Sequence, residues 1–248
     1  MGIPKIIHYC WFGKGEKNEL LINCIASWKK YLPDYQLKEW NEENFDIHSN
    51  AYVEEAYTMG KWAFVTDYVR LYVLYNYGGI YMDTDVEVCR SLEPFLKCSA
   101  FSGFEARDSV PTGIFASEKG HQVIYDLLQE YNGIHFIDKN GKADMKTNVS
   151  RITDYFVKQG LKLNGKRQEI KGVTMYEQIT FCPNTFGLIW GHRSVKIYTI
   201  HHFDGSWLGK SVKKDLIYRI KHYIGGVVRN RMGSDRYAKF RFGKEHNL

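Results

Sequence analysis

The spacing of apolar and polar positions changes period several times along this chain, and each change predicts an element. Residues 3–10, Ile-Pro-Lys-Ile-Ile-His-Tyr-Cys, predict a buried strand with Pro4 tolerated near its start, closed by the loop Trp11-Phe12-Gly13-Lys14-Gly15. From about Asn18 to Tyr31 the residues Leu21, Cys24, Ile25, Trp28 and Leu32 recur at helical spacing, and Pro33-Asp34 stop the run. Tyr35 to Trp40 predicts a second strand. Strand, helix, strand in that order argues for a βαβ unit and an α/β domain built on a parallel sheet.

Residues 61–77 predict an almost wholly buried helix, with Ala63, Val65, Val69, Tyr72 and Leu74 among its apolar positions. Gly78-Gly79 end it, because glycine accepts the left-handed cap conformation cheaply. Residues 80–88 then alternate with period two. Ile80, Met82, Thr84, Val86 and Val88 fall on one face, and Tyr81, Asp83, Asp85 and Glu87 on the other. Further strands are expected near 99–104, 112–116, 170–176 and 195–200, and helices near 119–131 and 148–159.

A hydrophobic fraction of 44% with 25% charged residues excludes a disordered chain. No stretch approaches the roughly 20 apolar residues of a membrane span, and the start is not that of a signal peptide, so cytoplasmic residence is expected. The five cysteines are odd in number and scattered, which predicts reduced, mostly buried thiols. The net charge of +6 is concentrated: residues 210–245 hold 11 Lys/Arg against 3 Asp/Glu, or +8, which leaves the rest near neutral. We therefore divide the chain into a catalytic domain at 1–209 and a basic, amphipathic segment at 210–248.

The chemistry concentrates around Asp83-x-Asp85. Carboxylates at i and i+2 of a strand lie roughly 6 to 7 Å apart at Cα, close enough to share a divalent cation. Hard oxygen ligands suit Mg²⁺ or Mn²⁺, ions that keep open positions for phosphate oxygens. An Asp-x-Asp is also an ordinary pair of exposed strand positions. What raises it above that is Asp67 and Arg70, a charged pair on the apolar helix that leads into the strand, since buried charges need partners.

Ala63-x-x-Thr66-Asp67-x-x-Arg70, Leu74 and Gly78-Gly79-x-Tyr81-x-Asp83-x-Asp85 resemble the signature of glycosyltransferase family 32, the sugar-binding region with a DXD motif. That family includes fungal mannosyltransferases, bacterial capsular polysaccharide enzymes and the large glucosylating toxins. The resemblance implies a GT-A fold, a Rossmann-like α/β sandwich that binds nucleotide-sugars, and retaining transfer of a hexose from a UDP-sugar. It implies that Trp11 stacks on the base, Asp67 and Arg70 hold the donor sugar and phosphates, and Tyr81 lies near the phosphates. Asp83 would meet ribose and metal, and Asp85 the metal directly. Catalytic roles fall on Asp67, Arg70, Asp83 and Asp85, with Mn²⁺ or Mg²⁺ as cofactor.

Downstream, Ile200-His201-His202-Phe203-Asp204-Gly205-Ser206-Trp207 resembles the elements that close related active sites over the diphosphate. That likeness makes His202 a metal ligand, with His201 the competing choice, and places Ser206 and Trp207 on the nucleotide-sugar. The amphipathic 215–228 segment fits an anionic membrane surface on the inner face, and it fits equally an apolar face docked on the domain. The expected partners are a UDP-sugar and a saccharide acceptor, lipid-linked, in bacterial surface polysaccharide synthesis. No nucleic acid partner is expected, although the basic tail makes a nucleic-acid-binding protein one competing reading. A metal-dependent phosphoryl hydrolase using the same aspartates is the other.

Overall fold

The computed structural model describes residues 2–111, 113–183 and 196–205. Strand β1 (Ile6–Cys10) lies between two parallel neighbours, β2 (Gln36–Trp40) and β3 (Gly79–Met82), with Ile7 opposite both Leu37 and Ile80. Helix α1 (Glu19–Tyr31) makes the expected crossover. The Asn18 side chain caps it by accepting from Leu21 N–H, Glu19 lies in its first turn and Lys29 and Lys30 in its last, each suited to the helix dipole.

Beyond β3 the sheet becomes mixed. Strand β6 (Ile114–Ser117) runs antiparallel to β3 and to β5 (Ala100–Gly103), β5 is parallel to β8 (Val173–Tyr176), and β7 (Gln168–Ile170) closes the edge antiparallel to β8. The order is β2-β1-β3-β6-β5-β8-β7. This is a mixed α/β architecture with a parallel-rich central sheet, in line with the GT-A expectation, although not the wholly parallel sheet that the opening βαβ unit alone suggested.

Helices cover both faces. One buried cluster joins Phe12, Val65, Val69, Leu74, Tyr81, Phe104 and Phe115 with residues of α2 (Ala51–Thr58), α3 (Trp62–Tyr77), α4 (Gln122–Gln129) and α5 (Asn148–Lys158). The other joins Ile7, Trp28, Ile80, Met82, Val86, Val88, Phe95 and Phe101 under α1. The period-two reading of 80–88 is thus correct about faces, because Ile80, Met82, Val86 and Val88 share one cluster while Tyr81 enters the other.

It is wrong about continuity. The chain leaves β3 after Met82, turns at 83–85 and resumes as β4 (Val86–Val88), which pairs antiparallel with β9 (Thr199–His201) in a separate two-stranded sheet. The expected strand at 170–176 is likewise a hairpin, β7 to β8, turning through Lys171 and Gly172 at φ 53° and 79°. Helix α2 and the one-turn α6 (Gln178–Phe181) were not legible in the pattern, being too short to show a period.

Two packing details fix the centre of the sheet. Gly78 and Gly79 carry φ of 66° and 105°, and a Cβ on Gly79 would lie 2.7 Å from Ile6 O, so α3 can end and β3 begin against β1 only with glycine. Beside them His8 is fully buried. Its Nδ1 accepts from Trp40 Nε1–H at 3.0 Å, so Nε2 carries the proton and donates to Gly78 O at 2.9 Å. Burial pushes its pKa down to about 4.

That shift predicts acid sensitivity. The folded state holds His8 neutral while the unfolded chain protonates it near 6.5, so stability is complete above pH 6.5 and falls as pH drops towards 4. The expected loss is about 3 kcal/mol at 1.36 kcal/mol per unit. Urea midpoints at pH 7 and pH 4.5 should show a smaller pH-dependent loss in His8→Gln than in the wild type. Equal losses would remove His8 as the cause.

Candidate active site

The site forms where three chain segments meet at the carboxyl edge of the parallel strands, the usual position for ligands in open α/β sheets. Asp67 and Arg70 sit one helical turn apart on α3, and both face inward with side chains only 11% exposed. Arg70 Nη2 lies 3.3 Å from Asp67 Oδ1 and 3.3 Å from Asp83 Oδ1, so one guanidinium bridges the helix and the turn after β3. The guanidinium carbon stands 4.6 Å from the Tyr81 ring centroid, and Tyr81 O–H donates to Asp83 Oδ1 at 2.9 Å. A planar cation is needed here, because an ammonium cannot stack on the ring and reach both carboxylates.

The second oxygen of Asp67 accepts from the backbone N–H of Asn148 at 3.0 Å, where α5 begins. Burial pushes the Asp67 carboxyl up to about 6 even though Arg70 and the Asn148 N–H favour its ionised form. Asn148 itself is only 2% exposed. The sequence offered 147–149 only as a loop over the sheet edge and not the contact of Asn148 with Asp67; Thr147 caps α5 by accepting from Ser150 N–H.

The turn at 83–85 has a physical origin. Asp83 N–H donates to Gly113 O at 2.8 Å, extending the β3–β6 ladder by one bond, and Val86 N–H then returns to Asp83 O at 3.0 Å. Both aspartates therefore sit in a tight turn, a conformation their residue type favours, and not on one strand face as the alternation predicted. Asp85 is held from the 201–204 segment. His201 Nε2 approaches its Oδ1 at 3.2 Å, Asp204 N–H donates to its Oδ2 at 2.8 Å, and His202 N–H donates to its carbonyl at 3.1 Å.

The β4–β9 register decides which histidine joins the aspartates. His201 is paired with Val86, and its Nε2 stands 3.2 Å from Asp85 and 4.0 Å from Asp83. Adjacent residues of a strand point to opposite faces, so His202 turns away and contacts Glu87 Oε2 at 2.9 Å. The assignment of His202 as the ligand is therefore corrected: the histidine beside Asp83 and Asp85 is His201. Gly113 makes room for it, since a Cβ there would lie 3.1 Å from the imidazole.

Ligand atoms of Asp83, Asp85 and His201 all lie within 4.8 Å of one another, a donor set of two carboxylates and an imidazole that fits a divalent cation. Burial alone would lower the His201 pKa, yet the Asp85 carboxylate outweighs it and holds it well above its ordinary value. The same pairing keeps Asp85 ionised against the cost of burial. Binding a cation there requires His201 to give up its proton.

The remaining expected residues divide. Trp11 follows β1 at the same sheet edge, half-buried, with its Nε1–H donating to Gly15 O at 2.5 Å. Ser206, Trp207 and the basic 210–248 segment lie outside the described residues. None of the five cysteines forms a disulfide, and Cys10, Cys24 and Cys182 are buried. Among the described residues no helix is long and apolar enough to cross a membrane.

One site of the α/β sheet thus gathers an Asp-x-Asp turn, a buried Arg–Asp bridge and a histidine from a distant strand. Residues 18–102 match the family model described as the glycosyltransferase sugar-binding region containing DXD motif. Inositol phosphoceramide mannosyltransferase 3 of Schizosaccharomyces pombe is 29% identical over 149 residues, covering 54% of this chain and 40% of the relative. The mannosyl phosphorylinositol ceramide synthase CSH1 of Saccharomyces cerevisiae is 30% identical over 123 residues, covering 45% and 30%. The matches thus span less than half the length of these relatives. A solved glycosyltransferase involved in glycosylation of the major capsid of PBCV-1 aligns over 80% of this chain and 93% of that one at TM-score 0.48 and 12% identity.

Proposed function

We propose that the protein is a metal-dependent retaining glycosyltransferase that moves a hexose from a nucleotide-sugar to a saccharide acceptor held on a lipid. The observation that carries this reading is the single connected group of Asp67, Arg70, Tyr81, Asp83, Asp85 and His201. Three carboxylates and one guanidinium offer what a sugar diphosphate requires: acceptors for hydroxyls, a fixed donor for phosphate oxygens, and a seat for Mn²⁺ or Mg²⁺. A divalent cation bound by Asp83, Asp85 and His201 would neutralise charge on the departing diphosphate.

In the transfer, the bond from the sugar's anomeric carbon to the phosphate oxygen breaks and a bond from that carbon to the acceptor oxygen forms. The acceptor's hydroxyl proton passes to the departing diphosphate. Arg70, already placed between two carboxylates, stabilises the negative charge that develops there. Asp67 is tied to Arg70 and Asn148, Asp83 to Arg70 and Tyr81, and Asp85 to His201 and Asp204. With each of these carboxylates already engaged, front-face transfer is favoured over a double displacement. Isolation of a glycosyl-enzyme adduct would contradict it.

The names of two relatives, which describe mannosyl transfer to inositol phosphoceramide, support a lipid-held acceptor and widen the donor question beyond UDP-sugars. The bacterial surface polysaccharide role and attachment of the basic segment to the inner membrane face rest on the family resemblance and the sequence. The test is calorimetric titration of UDP and GDP, with and without Mn²⁺, followed by UDP- and GDP-sugars. Metal-dependent binding of one nucleotide, with slow hydrolysis of one of its sugars, is expected. Absence of any binding would overturn the reading.

A further inference from the structure

We propose that Glu42 is a positioning residue that holds the turn after β1 in the shape that receives the nucleotide; the inference rests on the nucleotide-sugar reading above. Strands β1 and β2 are parallel, so the segments that follow them leave the sheet at the same edge, and Glu42 comes to lie beside Gly13. Its Oε1 accepts from Gly13 N–H at 2.7 Å and from Tyr57 O–H at 3.0 Å.

The turn is built to need such a partner. Gly13 and Lys14 both occupy the left-handed region, at φ 88° and 56°, a conformation uncommon for a residue with a side chain such as Lys14, and the Gly13 N–H of this turn is met by the Glu42 carboxylate. Lys14 adds a favourable positive charge, and the Glu42 carboxyl is held below its ordinary range despite the opposing cost of burial. On the other side, a Cβ on Gly13 would lie 2.5 Å from the Trp62 ring, so the bare backbone rests directly on that indole. Trp62 is in turn braced edge-on by Tyr57, with ring centroids 4.9 Å apart. Groups from the end of β2, from α2 and from the start of α3 thus converge on one five-residue turn. That turn carries Trp11, whose indole N–H closes onto Gly15 O and whose ring lies 5.1 Å from Lys17 Nζ. A receiving surface fixed in advance binds more tightly because less is ordered when the ligand arrives.

Glu42→Ala and Glu42→Gln should be compared in the full-length protein. In Glu42→Ala the Gly13 amide should exchange with solvent faster. The Kd for the nucleoside diphosphate that the wild type binds should weaken about tenfold, with kcat at saturating donor within about twofold. Glu42→Gln keeps an oxygen that accepts from Gly13 N–H and should recover most of that affinity. Wild-type Kd in Glu42→Ala, an equal fall in kcat, or no recovery in Glu42→Gln would each overturn the assignment. If the wild type binds no nucleoside diphosphate, the proposed function fails and the Glu42 role falls with it. If the wild type binds and Glu42→Ala binds equally well, only the Glu42 role falls.

Discussion

Asp85→Asn is expected to lower kcat/KM for sugar transfer by on the order of 10³-fold, the scale of losing a main source of transition-state charge stabilisation. The amide cannot supply the negative charge that both a cation and the His201 imidazolium require. Its oxygen can still accept from Asp204 N–H, which the carboxylate meets at 2.8 Å, so the 201–204 segment should stay in place. Loss of the raised His201 pKa should follow, because Asp85 is the group that counters burial there. The checks are turnover, Mn²⁺-dependent nucleotide binding, and His201 titration by NMR in the metal-free protein. Turnover within tenfold of the wild type would sink the metal assignment.

Arg70→Met is expected to damage stability as well as activity. The guanidinium is the shared cation of Asp67 and Asp83, at 3.3 Å from each, and removing one partner from a buried pair costs about 3–5 kcal/mol. The pH dependence distinguishes this from simple loss of packing. The Asp67 pKa is already raised to about 6 by burial, with Arg70 opposing the rise, so without Arg70 it should climb further. A carboxyl whose folded pKa is raised favours folding in its protonated form. The stability of Arg70→Met should therefore recover as pH falls from 7 towards 5, relative to the wild type, and this is measurable as urea midpoints. A constant deficit across that range would show that Asp67 is not what Arg70 neutralises. Arg70→Lys should retain more stability yet stay poorly active, since an ammonium cannot bridge both carboxylates while stacking on Tyr81.

Much of this molecule was legible along the chain. Helix α1 shows in the spacing of Leu21, Cys24 and Trp28, and β1, β2 and α3 show in equally local patterns. Asp67, Arg70, Asp83 and Asp85 stood out because charged residues inside apolar surroundings break a pattern, Tyr81 was given a role only by the family resemblance, and the structure does bring those five together. What escaped was non-local. Asn148 lies 81 positions from the Asp67 it contacts, and Glu42 lies 29 positions from Gly13, with no periodicity linking either pair. The split of 80–88 into two strands was also hidden, because Val86 and Val88 keep their faces while exchanging one sheet for another.

The sequence by itself determined the βαβ opening, the faces buried by α1 and α3, and the charged residues Asp67, Arg70, Asp83 and Asp85 as candidates for the site, because these depend on periods of two and 3.6 and on residue chemistry. The tertiary structure alone decided that the Asp-x-Asp pair sits in a turn, that His201 and not His202 joins it, and that Asn148 closes the far side of Asp67. The choice between two adjacent histidines is one of strand register: a one-residue shift reverses every side chain, and only the β4–β9 pairing sets that register.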